Sequence, residues 1–232
     1  MNKKYELTDE TKVCRFVMLH RIRALKDFDT VMGISVKAGD LGGWVASEDN
    51  LSQEGNAWVS DNAWVSGDAR VFDNAWVFGN ARVSGNARAF GNAWVSGNAQ
   101  VSGDAQVSGN ARVSGNARVS GDAWVSGNAR VSGNARVSGD AWVSGDARVA
   151  GDAEIKAPKD TFLISMIGSR YRTTTFFRCT DGKVRVTCGC FYGDLDEFLA
   201  KVEHTHGDNK HGKAYKKAIE LARIQMEEDV NV

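Results

Sequence analysis

Histidine is missing from the whole middle of this chain. Among 232 residues only His20, His204, His206 and His211 occur, so residues 27–203 carry none. That stretch offers no imidazole for general-base chemistry. Proline is almost absent as well. Pro158 stands alone, so a ladder of backbone hydrogen bonds can run unbroken up to that point. The four cysteines lie outside any disulfide-rich pattern, which fits a reducing cytoplasm. No apolar run reaches membrane-spanning length, and no signal peptide is read at the start. Net charge is also lacking, with 29 Lys+Arg against 29 Asp+Glu. That argues against a polyanion mimic and against a bulk electrostatic nucleic-acid binder.

What the chain does have is one phrase, Gly-Asn-Ala-Arg-Val-Ser, repeated from Gly55 to Lys156 with almost no drift. An aliphatic residue recurs every six positions from Val59 to Ile155, with Ala89 once in its place, and an alanine always sits two residues earlier. Between them stands Trp, Arg, Gln or Glu154. Ala-x-Val alternates in, out, in, so each hexad reads as a very short strand with two inward side chains. Ser-Gly-Asn and Ser-Gly-Asp are turn chemistry, because Gly accepts positive φ and Asn or Asp bonds its own backbone. Asp61 and Asp73 replace that Gly with a residue type that tolerates the same region. One strand and one bend per hexad close a three-sided coil after eighteen residues, and stacked coils pair their backbones.

The phrase Val-Ser-Gly-Asn-Ala-Arg resembles the hexapeptide signature of left-handed parallel β-helices, over roughly residues 41–156. The resemblance implies a left-handed parallel β-helix of about six coils, and its handedness comes from the family alone. Val36 to Val45, with Leu51, Ser52, Gln53 and Glu54, resembles the start of YdcK-type bacterial β-helix proteins, often labelled transferases. Members of this class are commonly homotrimers, which makes a homo-oligomer, with a trimer favoured, the expected assembly.

Residues eighteen apart stack about 4.8 Å apart, so the outward positions form three columns. One reads Trp58, Trp76, Trp94, Arg112, Arg130, Arg148; another reads Trp64, Arg82, Gln100, Arg118, Arg136, Glu154; the third reads Arg70, Arg88, Gln106, Trp124, Trp142. All seven tryptophans, Trp44 included, take the outward slot. Exposed aromatic ladders call for a partner. Self-association, plain stacking down the ladder, and a binding face for a ligand or a foreign protein all stay open. The candidate binding residues are Trp58, Trp76, Trp94, Arg112, Arg130 and Arg148 on one face, with Trp124 and Trp142 on another. In the turn slot Asp68, Asn86, Asp104, Asp122 and Asp140 form one column, while the other two are Asn until Asp146 and Asp152. These carboxylates read as offsetting nearby arginines; calcium is the weaker reading.

Residues 1–43 read as an N-terminal cap, with one strand over Val13–Leu25 and Arg15, Arg21 and Arg23 sharing a face. Residues 44–157 are the coil. Leu51 to Val59 is eight residues rather than six, which places a bulge near Gln53-Glu54. Residues 158–232 read as a small α+β unit of three strands and two helices. Thr161–Ile167 is a buried strand, and Tyr171–Cys179 and Lys183–Cys190 form a hairpin about Thr180-Asp181-Gly182. Asp194 and Glu197 form a capping box for a helix ending at Gly207, and a second helix spans Lys210 to Glu227. The Cys-Gly-Cys-Phe-Tyr-Gly and Val-Glu-His-Thr-His-Gly-Asp stretches resemble a domain of tailed-phage and prophage proteins. That implies a cytoplasmic host-interaction or anti-defence role.

Cys188, Cys190, His204 and His206 are weak zinc candidates, because C-x-C and H-x-H are not the usual spacings. Cys188 and Cys190 also continue the inward alternation of Val184 and Val186, where a thiol serves as a small hydrophobe. No catalytic residue, metal or cofactor is assigned. The reading that follows is a non-catalytic binding protein without membrane or nucleic-acid partners. The alternative is an acyl-CoA-dependent acyltransferase, which the family resemblance implies but which needs a coil histidine this chain does not have.

Overall fold

The computed structural model describes residues 3–226. Strands β1 (Tyr5–Cys14) and β2 (Val17–Ala24) form an antiparallel hairpin, β3 (Phe28–Asp29) and β4 (Ser35–Val36) a smaller one, and β5 (Leu41–Val45) leads into the coil. Strands β6 to β22, each two residues long, follow from Trp58–Val59 to Glu154–Ile155. Strands eighteen residues apart pair in parallel and in register, as at Trp58 with Trp76 and Trp94 with Arg112. Three sheets of nine, six and five strands result, and the molecule is a parallel β-solenoid of about six turns. The first turn is longer by two residues, since Trp44 pairs with Trp64 and Leu51 bridges Val71. The two extra residues lie between Leu51 and Trp58, where the offset returns to eighteen at Trp58 and Trp76, so the bulge expected near Gln53-Glu54 is present.

The alanines and aliphatic residues of the repeat are fully buried from Ala57 to Ile155. Each buried valine stabilises by about 1.5–3 kcal/mol relative to exposure. At Gly121, φ is +66° and a Cβ would lie 2.9 Å from the Gly139 nitrogen, so stacking as well as torsion demands glycine. Asp61 and Asp73 hold positive φ in two such slots. Their carboxylates are recruited one coil on, accepting from the N–H of Gly79 at 2.9 Å and Gly91 at 3.1 Å.

The turn residues form amide ladders. Asn74 donates to Asn92, Asn92 to Asn110, Asn110 to Asn128, and Asn128 to Asp146. The last rung only has to accept, which accounts for Asp146 and likewise for Asp152 under Asn134. None of the coil arginines takes part in an ion pair among the described residues.

Each coil sends its N–H groups toward the C-terminal end, as from Trp58 to the Ala75 carbonyl. The N-terminal end therefore presents carbonyls and needs donors. Lys4, fully buried, supplies its ammonium to Ala57 O at 2.9 Å, Glu54 O at 3.3 Å and Gly55 O at 3.4 Å. The Asn50 amide donates to Gly67 O and Ala69 O, and the Tyr5 hydroxyl to Leu51 O. The opposite end presents N–H groups and needs acceptors. Asp160 accepts from the Lys156 and Ala157 N–H groups, and the Thr175 hydroxyl from the Arg148 N–H.

Two sequence expectations change at the N-terminus. Val13–Leu25 is not one strand, because Arg15 and Phe16 both take positive φ and turn the chain between β1 and β2. Arg15 thus leaves the face it was expected to share with Arg21 and Arg23. The cap is a strand pair that extends one solenoid sheet, with β2 lying against β5.

After the short turn Pro158–Asp160, strands β23 (Thr161–Ile167), β24 (Arg172–Arg178), β25 (Val184–Cys188) and β26 (Phe191–Asp194) form an antiparallel sheet against helices α1 (Leu195–His206) and α2 (Lys210–Met226). The fourth strand, absent from the sequence reading, is a short run between the Gly189 turn and the helix cap. Strand β23 is half-buried rather than buried. Asp194 and Glu197 form the expected reciprocal cap, at 2.8 and 2.9 Å. The expected end of α2, Glu227, lies outside the described residues. Strand β24 alternates usefully: Phe176 fills the core of this unit and Phe177 closes the end of the coil core.

Candidate functional site

The register places the predicted column as expected, in the order Trp58, Trp76, Trp94, Arg112, Arg130, Arg148. Its two halves differ. Trp58 is only 3% exposed, because Tyr5 and Phe28 meet its ring edge-on at centroid distances of 6.5 and 5.3 Å. Trp76 is 8% exposed; it stacks on Phe78 at 4.0 Å and donates its indole N–H to Ser60 Oγ at 3.0 Å. The chain's own N-terminal residues thus cover Trp58, Phe78 of the coil covers Trp76, and Trp94 stays half-buried. What stays open there is a cleft of about 450 Å³ lined by Trp58, Trp76, Phe78 and Leu41. Trp44 and Trp64 are also buried, with Leu19 packed beside them and the Lys12 ammonium 4.0 Å over the Trp44 ring.

Beyond Trp94 the column is open. The Arg112 guanidinium lies 3.8 Å over the Trp94 ring, a cation–π contact. Arg130 and Arg148 are exposed. Arg148 is nevertheless fixed from the C-terminal unit. Its N–H donates to Thr175 Oγ1 at 3.1 Å, its carbonyl accepts from Thr187 Oγ1 at 2.6 Å, and its guanidinium donates to Gly189 O at 3.2 Å. Gly189 sits in the two-residue turn between β25 and β26 with φ +62°, a torsion that suits glycine. Together they frame a cleft of about 460 Å³ where the coil meets the C-terminal unit, with Arg130 and Arg148 on one side and Phe191 and Tyr192 on the other. Burial raises the Tyr192 phenol above its ordinary value, so this wall is neutral. A second cleft of about 280 Å³ shares Arg130 and Arg148 and adds Asp146, Arg172 and Tyr171.

The other predicted aromatic pair is exposed. Trp124 and Trp142 stack at 5.6 Å with an interplanar angle of 7° and are 40% and 53% accessible. Their indole N–H groups reach Ser108 and Ser126 one coil back, which sets both rings in the same pose.

The cysteines and histidines do not assemble. Among the described residues no three His, Cys, Asp or Glu side chains are placed to hold one metal ion. The Cys188 thiol accepts from the Thr174 hydroxyl at 3.2 Å and lies 3.6 Å from the Tyr215 hydroxyl. Cys190 departs from the inward alternation: β25 ends at Cys188, and Cys190 stands exposed in the turn. His206 packs between His211 and Tyr215, at 5.8 and 5.7 Å. Sequence reasoning missed Thr175, Thr187 and Gly189, which position Arg148. Their only signal was a β-rich hairpin bearing hydroxyls.

A parallel solenoid of hexapeptide turns is the class that this geometry defines. The YdcK β-solenoid repeat model matches residues 81–97, 105–121, 111–127 and 129–145. The chain is also 36% identical over 67 residues to a protein of Escherichia coli (strain K12) named an uncharacterized acetyltransferase, YdcK; the match covers 25% of this chain and 19% of that protein. The chain thus spans about a fifth of that relative's length. Over those residues the coil is similar to the YdcK β-solenoid repeat.

Proposed function

We propose that this chain is a non-catalytic binding protein, whose rigid solenoid presents Arg130 and Arg148 to an anionic partner. The observation that carries this reading is the open arginine half of the column. Its rungs repeat about every 4.8 Å, all of one sign, with no carboxylate paired to them among the described residues. Like charges at that spacing repel, and a bound anion relieves the repulsion. Backbone anchoring of Arg148 by Thr175 and Thr187 reduces the conformational freedom that binding would otherwise cost.

The relative's name favours a second reading, transfer of an acetyl group from an acyl-CoA. The two separate in one assay. Acetyl-CoA is incubated with the full chain and with amine and hydroxyl acceptors, and free CoA thiol is followed. The binding reading expects no release above buffer. It also expects polyanions to raise the melting temperature, an effect that Arg130→Ala/Arg148→Ala abolishes. Catalytic release of CoA overturns it.

A further inference from the structure

Resting on that binding reading, we infer that the cleft between Arg130, Arg148, Phe191 and Tyr192 takes a nucleoside phosphate, with its phosphates on the arginines and its base against the aromatic wall. The volume, about 460 Å³, falls in the range of small-molecule pockets. One side holds two guanidiniums in adjacent coils, paired in register. Guanidinium is the group suited to bidentate phosphate contacts, and two rungs about 4.8 Å apart match a chain of phosphates better than one carboxylate. The Arg130 guanidinium makes no hydrogen bond to any described residue, while that of Arg148 is steadied by Gly189 O.

The other side is braced and apolar. Phe191 packs on Phe198 at 5.1 Å, and Tyr192 against Phe177 at 6.4 Å. Tyr192 remains 48% accessible, so part of its ring is free to stack. A purely inorganic anion would leave this wall unused. A nucleic-acid strand does not fit as well, because the arginine column ends at Arg148, where Thr187 and Gly189 close over it. Another arginine-lined cleft of the coil, about 530 Å³ around Arg70 and Arg88, also includes the carboxylates of Glu48 and Asp49, which disfavour an anion there.

Cys190 lines the same cleft and is exposed, whereas Cys14 lies at the far end of the molecule. That pair supplies the readout. The full chain is titrated with ATP, tripolyphosphate and adenosine by calorimetry, and iodoacetamide modification of Cys190 and Cys14 is followed by mass spectrometry. We expect ATP to bind about tenfold or more tightly than either fragment, and to slow alkylation of Cys190 but not of Cys14. Arg148→Ala should weaken ATP about tenfold or more through loss of charge-assisted contacts. Arg130→Gln, which removes no contact within the chain, should do the same and guards against a folding defect. Tripolyphosphate binding as well as ATP would refute the aromatic half of the inference. No ATP binding at about 1 mM, or ATP binding without protection of Cys190, would refute the site. Those results leave the binding reading standing if the two-arginine variant still loses polyanion stabilisation. Turnover of acetyl-CoA would sink that reading whatever ATP does.

Discussion

One column of outward side chains runs the length of the solenoid, yet its ends live in different environments. At Trp58 and Trp76 the outward slot is interior, sealed by Tyr5, Phe28 and Phe78. At Arg130 and Arg148 the same slot faces solvent and a cleft. The backbone geometry is the same in both halves. The difference comes from what the chain adds at each end: an N-terminal segment whose Tyr5 and Phe28 close over Trp58, and a C-terminal unit that fixes Arg148 through Thr175, Thr187 and Gly189 without pairing a carboxylate to it. Pointing away from the coil core is thus not the same as being exposed. A repeat decides only the first.

The largest expected effect tests the inward slot against the outward one. Val131→Asp buries an unpaired charge among stacked valines and should cost more than about 4 kcal/mol. Arg130→Ala, one residue away, should stay within about 0.5 kcal/mol. Denaturant melts with similar losses for both would break the register.

Next comes the contrast between two outward tryptophans. Trp58→Ala should cost about 3–5 kcal/mol, as for a core aromatic, and Trp142→Ala less than about 1 kcal/mol. Equal costs would show that Trp58 is not covered.

Smaller is the loss from Lys4→Met, about 1–3 kcal/mol, because three carbonyls at the coil end lose their donor. Urea unfolding would show it; a neutral substitution would mean that water serves those carbonyls.

Smallest is a pH effect at the same residue. Burial, with a secondary contribution from Lys26, lowers the Lys4 ammonium from 10.5 to about 8. The unfolded chain therefore binds more protons than the folded one between those values, so this contribution to stability grows as pH rises through that window and is lost as pH falls toward 8. Burial raises Cys179 from 9.0 to about 11 and also raises Tyr5 from 10.0, so Cys179 opposes the trend above about pH 9 and Tyr5 above about pH 10. Between pH 8 and 9 the wild-type unfolding midpoint should rise, and Lys4→Met should flatten it. Parallel slopes for the two proteins would remove Lys4 as the cause.

The coil was legible because its period is local. Ala, Val and Gly recur at fixed spacing, and each hexad needs only its neighbours eighteen residues away. The columns and the capping box at Asp194 follow from spacing. What escaped depends on contacts distant in sequence. No pattern announces that Lys4 will cap Ala57 or that Phe28 will lie on Trp58. The hairpin at Arg15-Phe16 lacks the Gly or Asn that usually marks such a turn. Of the candidate site, Arg130 and Arg148 were visible as a column, but the cleft was not. It arises where two separately readable parts meet, and a hydroxyl such as that of Thr187 has no spacing relation to Arg148.

The central claim, that the outward slot is buried at Trp58 and Trp76 and open farther along the coil, is tested most directly by hydroxyl-radical footprinting of the full chain with residue-level mass spectrometry. Trp124 and Trp142 should be oxidised fast, Trp94 at an intermediate rate, and Trp58 and Trp76 slowest, by about tenfold or more relative to Trp142 given their burial. Oxidation of Trp58 and Trp76 as fast as Trp142 would contradict it.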